Sequence, residues 1–449
     1  MKSAPLSLGT ADVGKLLAQY AIPAIISMAA ASIYNITDSI FIGHGVGPLA
    51  LSGLTITFPL MNLGAAFGTL VGVGGSALLS LRLGQKDYEA ANYILGNVVS
   101  LNFLMGIGLT VPVLVFLEPI LVFFGASENV LPYAYDFMTI IIAGNVVTHM
   151  YWGLNALMRS SGHPKKSMYA TLVTIGINLV LNPLFIFVFH WGIKGSAFAT
   201  VLSQIVVLAW QFIFFSDKNN FICLRRGIFG LRHRIVSGIL SIGMAPFLLN
   251  SATCVIVILI NRELSVYGGD LAIGAYGIVN RVAFLFVMVI FGINQGMQPI
   301  AGYNYGAGLY GRVVEALRKS VISAVAVMTA GFLIVEIFPH YVASMFSGEQ
   351  ELIDLAVPGL RYVFFVFPFN GVQIVAAAFF QSIGKAYKTI FLSLTRQVLF
   401  LIPLVIILPK FFGIKGIWMS MPLSDSMAFA VCAGVLYFEI RKMRKGAAK

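Results

Sequence analysis

An aspartate stands inside an apolar run as Tyr34-Asn35-Ile36-Thr37-Asp38, five residues before Gly43. In a helix rising about 1.5 Å per residue, its carboxylate lies about 8 Å from that end. At bilayer depth such a charge costs about 2.5–3.5 kcal/mol by insertion scales, so it needs a chemical reason. It can bind and release a proton, or coordinate Na⁺ through oxygen; the plainer alternative is a hydrogen bond that packs helices. A second polar run holds Asn178 and Asn182, an i,i+4 pair on one helical face. Pro183 follows and is expected to bend the helix, leaving the carbonyl of Leu179 without its usual donor. Thr200, in the next run, falls at a depth similar to Asp38 and Asn182. Oxygen ligands at one depth on three helices suit a proton or ion site, against the reading of polar glue between helices. Asn155 is a further candidate nearer the opposite end. Asp425, Arg281 and Arg396 are also within apolar runs; pairing of Asp425 with either arginine would lower its burial cost, and a second charged position in a cavity is the alternative.

The elements that carry these residues follow from composition. Of 449 residues 59% are apolar and 10% charged, with a mean hydropathy of +0.90. A soluble chain would carry roughly 25% charged residues, so the expected fold class is all-α integral membrane. Apolar runs lie near 15–43, 51–80, 92–117, 132–160, 168–190 and 194–216, then near 236–261, 271–301, 319–339, 358–383, 388–409 and 415–440. At about 20 residues per crossing these are twelve transmembrane helices. The net charge of +12 is not read as nucleic-acid binding, because the basic residues cluster beside the spans. Loops on one side hold only Lys194, Arg262, Lys410 and Lys415, while Arg281, Arg361 and Arg396 fall within spans. The remaining basic residues, from Lys2 to Lys449, lie on the side of both termini, which places those termini in the cytoplasm. No small-residue cleavage site follows the first apolar run, so the first span is expected to be retained. Cys223, Cys254 and Cys432 form neither a CxxC motif nor a disulfide framework.

The two sets of six spans are copies. Gly192-Ile193-Lys194-Gly195 recurs as Gly413-Ile414-Lys415-Gly416 and Leu202-Ser203 as Leu423-Ser424, 221 residues apart; Gly84 matches Gly306 and Phe124 matches Phe346 at 222. Because each half has an even number of spans, two six-helix lobes related by a pseudo-two-fold axis along the membrane normal are expected, a plan suited to alternating access. The predicted organisation is an N-terminal lobe over 1–216, a cytoplasmic basic linker over 217–234 and a C-terminal lobe over 235–449. Gly64, Gly68 and Gly72 form a small-residue ridge for helix packing. Trp191 and Trp418 are expected at the outer interface. No phosphate-binding GxxxxGK[ST] sequence is present, so transport would run on an ion gradient.

Pro23 with Tyr34 and Asp38, the Asn178…Asn182-Pro183-Leu184-Phe185 run, Gly192–Gly195 with Ala199-Thr200, and Gln298-Pro299-Ile300…Gly302-Tyr303-Asn304-Tyr305-Gly306 together resemble the multidrug and toxic compound extrusion (MATE) family. Within it they are similar to MepA-like exporters of the DinF branch, over essentially the whole chain. The resemblance implies a secondary active antiporter exporting organic, often cationic compounds in exchange for H⁺ or Na⁺. It makes Asp38, Asn155, Asn178, Asn182 and Thr200 the coupling positions and Pro23 a bending point of the first helix; Tyr34 is a candidate for a cavity or a structural role. The branch commonly carries an aspartate at the position of Asn182; here Asp38 is the sole acid of the cluster, which favours H⁺ over Na⁺. No cofactor or resident metal is implied. Partners are small drug-like compounds and the lipid bilayer, with no nucleic acid; a monomer in a bacterial cytoplasmic membrane is expected. A lipid-linked oligosaccharide flippase of the same superfamily is the alternative, with only Arg281, Arg361 and Arg396 for a cationic cavity. A membrane-embedded enzyme is the alternative from another class, yet the six histidines are scattered and form no metal motif.

Overall fold

Inside a bilayer the backbone has no water to bond to, and a helix satisfies its polar groups within one segment. The computed structural model describes residues 7–447 and is helical among them, with no β-strand. Lys2 and Lys449, counted in the charge asymmetry, lie outside these residues. The first six spans are α1 (Val13–Gly45), α2 (Pro48–Gly84), α3 (Tyr88–Val115), α4 (Leu131–Ala143 and Asn145–Ser160, bent by 52°), α5 (Pro164–Val188) and α6 (Gly192–Ser216). The second six are α7 (His233–Gly269), α8 (Leu271–Gly306), α9 (Tyr310–Ile337), α10 (Gln350–Phe365 and Phe367–Ser382, bent by 54°), α11 (Ala386–Phe412) and α12 (Ile414–Ala447). The fourth span of each half is thus the bent one, so the duplication extends from sequence to helix geometry. Among the described residues ten helices are long and apolar enough to cross a membrane, and counting each bent pair as one span brings the number to twelve.

Packing divides the chain into two units, and the division does not fall at the linker. Unit 1 contains Ile26–Phe247 and unit 2 contains residues 11–25 with those from Leu248 onward. The reason is visible in the helix contacts. The first half of α7 lies on α2, where a Cβ on Gly243 would come within 1.7 Å of the Leu70 carbonyl oxygen. The first half of α1 lies on α8, where a Cβ on Gly296 would meet Ala21 N at 2.6 Å. The predicted linker is itself bound to α3 of unit 1: Asn92 Oδ1 accepts from the Cys223 amide at 3.0 Å, and Asn97 donates to Gly230 O at 3.0 Å and accepts from Arg232 N at 2.9 Å.

The duplicated Gly-Ile-Lys-Gly turn has a backbone cause. Gly192 and Gly413 both take φ of +57°, a region that side chains disfavour. The last glycine of each copy meets the end of the preceding span: a Cβ on Gly195 would lie 2.9 Å from Phe185 Cβ, and one on Gly416 would lie 2.4 Å from Leu408 O. The predicted ridge also packs as read. Gly68 faces His149 and Gly72 faces the backbone of Gly153, so α2 and α4 cross closely. Of the two predicted interface tryptophans, Trp191 is half exposed and stacks on Phe185 with ring centroids 4.9 Å apart. Trp418 is instead buried, lying against Gly359, which has no side chain to keep it out.

Candidate functional site

Asp38 sits in the second half of α1 and is buried. Three helices of unit 1 meet there because each brings a small or special residue to the contact. Gly45 lets the end of α1 approach Ile186, since a Cβ there would lie 2.3 Å from that side chain. Gly195 lets α6 approach Phe185, as above. Past Pro183 the α-helix of α5 widens into a π-turn over Leu184–Val188, a device often found at functional positions. Pro23 lies within a helix that runs from Val13 to Gly45, two residues before the chain passes from unit 2 to unit 1.

The carboxylate Oδ1 accepts hydrogen bonds from the Asn182 side-chain amide and from Ser196 Oγ, the latter at 2.8 Å. One turn along, Thr200 gathers the other predicted residues. Its Oγ1 accepts from Asn178 Nδ2 at 3.1 Å, lies 3.1 Å from Tyr34 Oη, and donates to Ser196 O at 3.0 Å. The Oδ1 atoms of Asn178 and Asn182 are buried without a hydrogen bond, so each is an acceptor awaiting a donor or a cation. On the other side of the acid, Ile42, Ile186 and Ile193 belong to one buried apolar cluster. Asp38 therefore lies between an apolar plug toward Gly45 and a polar layer toward the opposite end of the helices.

Four of the predicted residues, Asp38, Asn178, Asn182 and Thr200, thus come together with Tyr34. Asn155 does not join them. It accepts from Ser167 Oγ and donates to Thr171 Oγ1 at 3.1 Å, in a separate cluster lower on α5. Counting residues gave its depth but not the face it shares. Ser196 was not among the predicted residues, although it lies one turn before Thr200 on the same face. In unit 2, Asp425 pairs with Arg396, whose Nε donates to its Oδ1 at 2.5 Å; Arg281 forms no ion pair among the described residues. What the Asp38 arrangement can do chemically is hold an anion with neutral donors alone. Among the described residues no cation pairs with it, so a proton or a metal ion can neutralise it.

The MatE family model matches residues 23–184 and 242–407, one stretch in each repeat. The multidrug export protein MepA of Staphylococcus haemolyticus (strain JCSC1435) is 25% identical over 438 residues, covering 96% of this chain and 94% of its own. MepA of Staphylococcus aureus (strain MSSA476) is 22% identical over 425 residues, covering 95% and 94%. Among solved structures, an outward-facing multidrug resistance MATE transporter of the MOP superfamily superposes with a TM-score of 0.92 at 22% identity and 99% coverage of both chains. A MATE crystal structure in a bent conformation reaches 0.94 at 22% identity over 100% of both. The solved structures share the twelve-helix, two-lobed fold, and the family model spans both halves: the chain belongs to the MatE family of multi-pass membrane transporters.

Proposed function

We propose that this protein is a secondary active multidrug antiporter that exports organic, often cationic compounds in exchange for protons, with Asp38 as the coupling acid. The observation that carries the reading is the shell of Asp38: a buried carboxylate held by an amide and a hydroxyl, with no cation beside it among the described residues. Ionised, it accepts from both donors. Protonated, it becomes a donor itself, and the unpartnered Oδ1 of Asn182 is the acceptor that an amide rotation would present. A proton taken up from outside thus rearranges the contact between α1 and α5, and its loss toward the cytoplasm restores an anion that favours a cationic compound. Such a change moves an equilibrium only because the two states bind proton and drug differently. The relatives named multidrug export protein MepA support small organic substrates, and the charge asymmetry of the loops supports cytoplasmic termini.

The test is Asp38→Asn in right-side-out vesicles loaded with ethidium under a pH gradient or a Na⁺ gradient alone. The wild type is expected to respond to the pH gradient, and the variant to lose gradient-driven efflux while remaining inserted and folded. Efflux by the variant at the wild-type rate would sink the role of Asp38. A wild-type response to Na⁺ alone would replace the proton with Na⁺ at the same cluster.

A further inference from the structure

Unit 2 holds a charged cluster that the coupling reading leaves unused. Asp425, with its side chain 3% exposed, is saturated: Oδ1 accepts from Arg396 Nε at 2.5 Å, Oδ2 accepts from Asn370 Nδ2 at 2.7 Å, and its backbone carbonyl accepts from Gln373 Nε2 at 2.7 Å. Arg396 is not. Only Nε is engaged, the terminal nitrogens make no hydrogen bond among the described residues, and the side chain is 34% exposed. A guanidinium kept solely to neutralise a carboxylate normally uses a paired, two-nitrogen contact.

Unit 1 shows that the fold needs no charge here. Thr148 and Gln204 occupy the positions 222 and 221 residues before Asn370 and Asp425, and Thr148 Oγ1 donates to Gln204 Oε1 at 2.6 Å. Thr174 stands 222 residues before Arg396. A neutral trio in one unit is replaced by an ion pair in the other, at sites the duplication makes equivalent. The exposed edge of Arg396 does not belong against lipid, where its N–H groups would find no acceptor. It has polar company instead. Gln397 donates to Thr253 Oγ1 at 3.1 Å, and Tyr276 stands in electrostatic reach of the guanidinium. Asn370 Oδ1, Gln397 Oε1 and Thr395 Oγ1 are buried without a hydrogen bond.

We propose that Arg396, held in place by Asp425, is a docking site for the carboxylate of a transported compound, with the unpartnered Oδ1 of Asn370, whose amide shares Asp425 with Arg396, suited to an N–H group of the same molecule. The ligand class is therefore a zwitterionic or carboxylate-bearing amphiphile. The site deepens the efflux reading and rests on it for what the ligand is, not for where it binds. Asp425 acts here as a positioning residue for Arg396.

The test is equilibrium binding to the purified full chain, read by fluorescence anisotropy, with two dyes that differ by one ester. Rhodamine 110 carries a free carboxylate, and rhodamine 123 is its methyl ester. Arg396→Gln is expected to weaken rhodamine 110 at least about tenfold while changing rhodamine 123 less than about twofold, because only the first loses a charge-assisted bond. The double variant Arg396→Gln, Asp425→Asn removes both charges without stranding a buried anion, and is expected to show the same selective loss. Asp425→Asn alone keeps the guanidinium but removes its charged anchor, and is expected to weaken rhodamine 110 more than rhodamine 123. Equal losses for both dyes, or none for either, overturn the site. Selective loss of rhodamine 123 in Asp425→Asn also overturns it, by making Asp425 a cation-binding group. Correct discrimination in binding with no movement of either dye in vesicles would sink the efflux reading and leave the site standing.

Discussion

Two buried aspartates divide the charged chemistry of the interior, and their neighbours decide how. Asp38 has an amide and a hydroxyl; the carboxylate of Asp425 has the amide of Asn370 and adds a guanidinium. The first is a charge that can change, the second a charge already answered. Hydrogen bonds to a charged group contribute about 1.5–3 kcal/mol, so removing one donor from Asp38 should be measurable. Ser196→Ala is expected to slow proton-driven ethidium efflux about tenfold at fixed gradient, and Ser196→Thr, which keeps a hydroxyl, to restore most of it. Equal rates in all three proteins would remove Ser196 from the site. Asp38, Asn178, Asn182 and Thr200 were legible in the sequence because polar residues in apolar runs are costly and their depths agreed. Ser196 was not, because a serine in a membrane helix usually bonds its own backbone, as Ser203 does with Thr200 O. Asn155 was placed by depth alone, and depth says nothing of which neighbour shares its face.

At the scale of helices, the site depends on how closely α6 meets the widened end of α5. The Gly195 contact with Phe185 fixes that distance, and Ser196 is the next residue. Gly195→Val is expected to force the helices apart, lowering the melting temperature and reducing efflux more than about tenfold, since overpacking costs about 1–3 kcal/mol. Gly176→Ala is the control on α5. A Cβ there meets nothing within 4 Å, and replacing a helical glycine should leave efflux unchanged and add about 0.5–1 kcal/mol of stability. Vesicle efflux and thermal unfolding of the two variants decide it. The sequence carried the Pro183 break and the repeated Gly-Ile-Lys-Gly turn, because proline lacks a donor and only glycine tolerates φ of +57° without cost. The π-turn itself was not legible, since proline marks where a helix is disturbed and not how it recovers. The bend in α4, at Gly144, carries no proline and was hidden; the bend in α10, at Val366, precedes Pro368 by two residues and was legible there.

For the whole molecule, hydrophobicity, loop charge and a near-constant repeat offset were enough to read twelve spans in two halves. The membership of individual helix segments was not, because α1 and α7 each change unit partway along, at 25/26 and 247/248, inside runs of uniform apolarity. Pro23 and Pro246 stand two residues and one residue before the last residues of those segments, but a proline marks a disturbed helix and not a change of packing partner. The pairing of Asp425 with Arg396 has a further consequence for energetics. With that pair net neutral, the coupling proposed for Asp38 would carry one proton inward per turn. Exporting a monovalent cation is then electroneutral, and a membrane voltage set by potassium and valinomycin should leave rhodamine 123 efflux unchanged. Rhodamine 110 leaves with no net charge, so its export moves one positive charge into the cell per turn and should accelerate as the interior is made more negative.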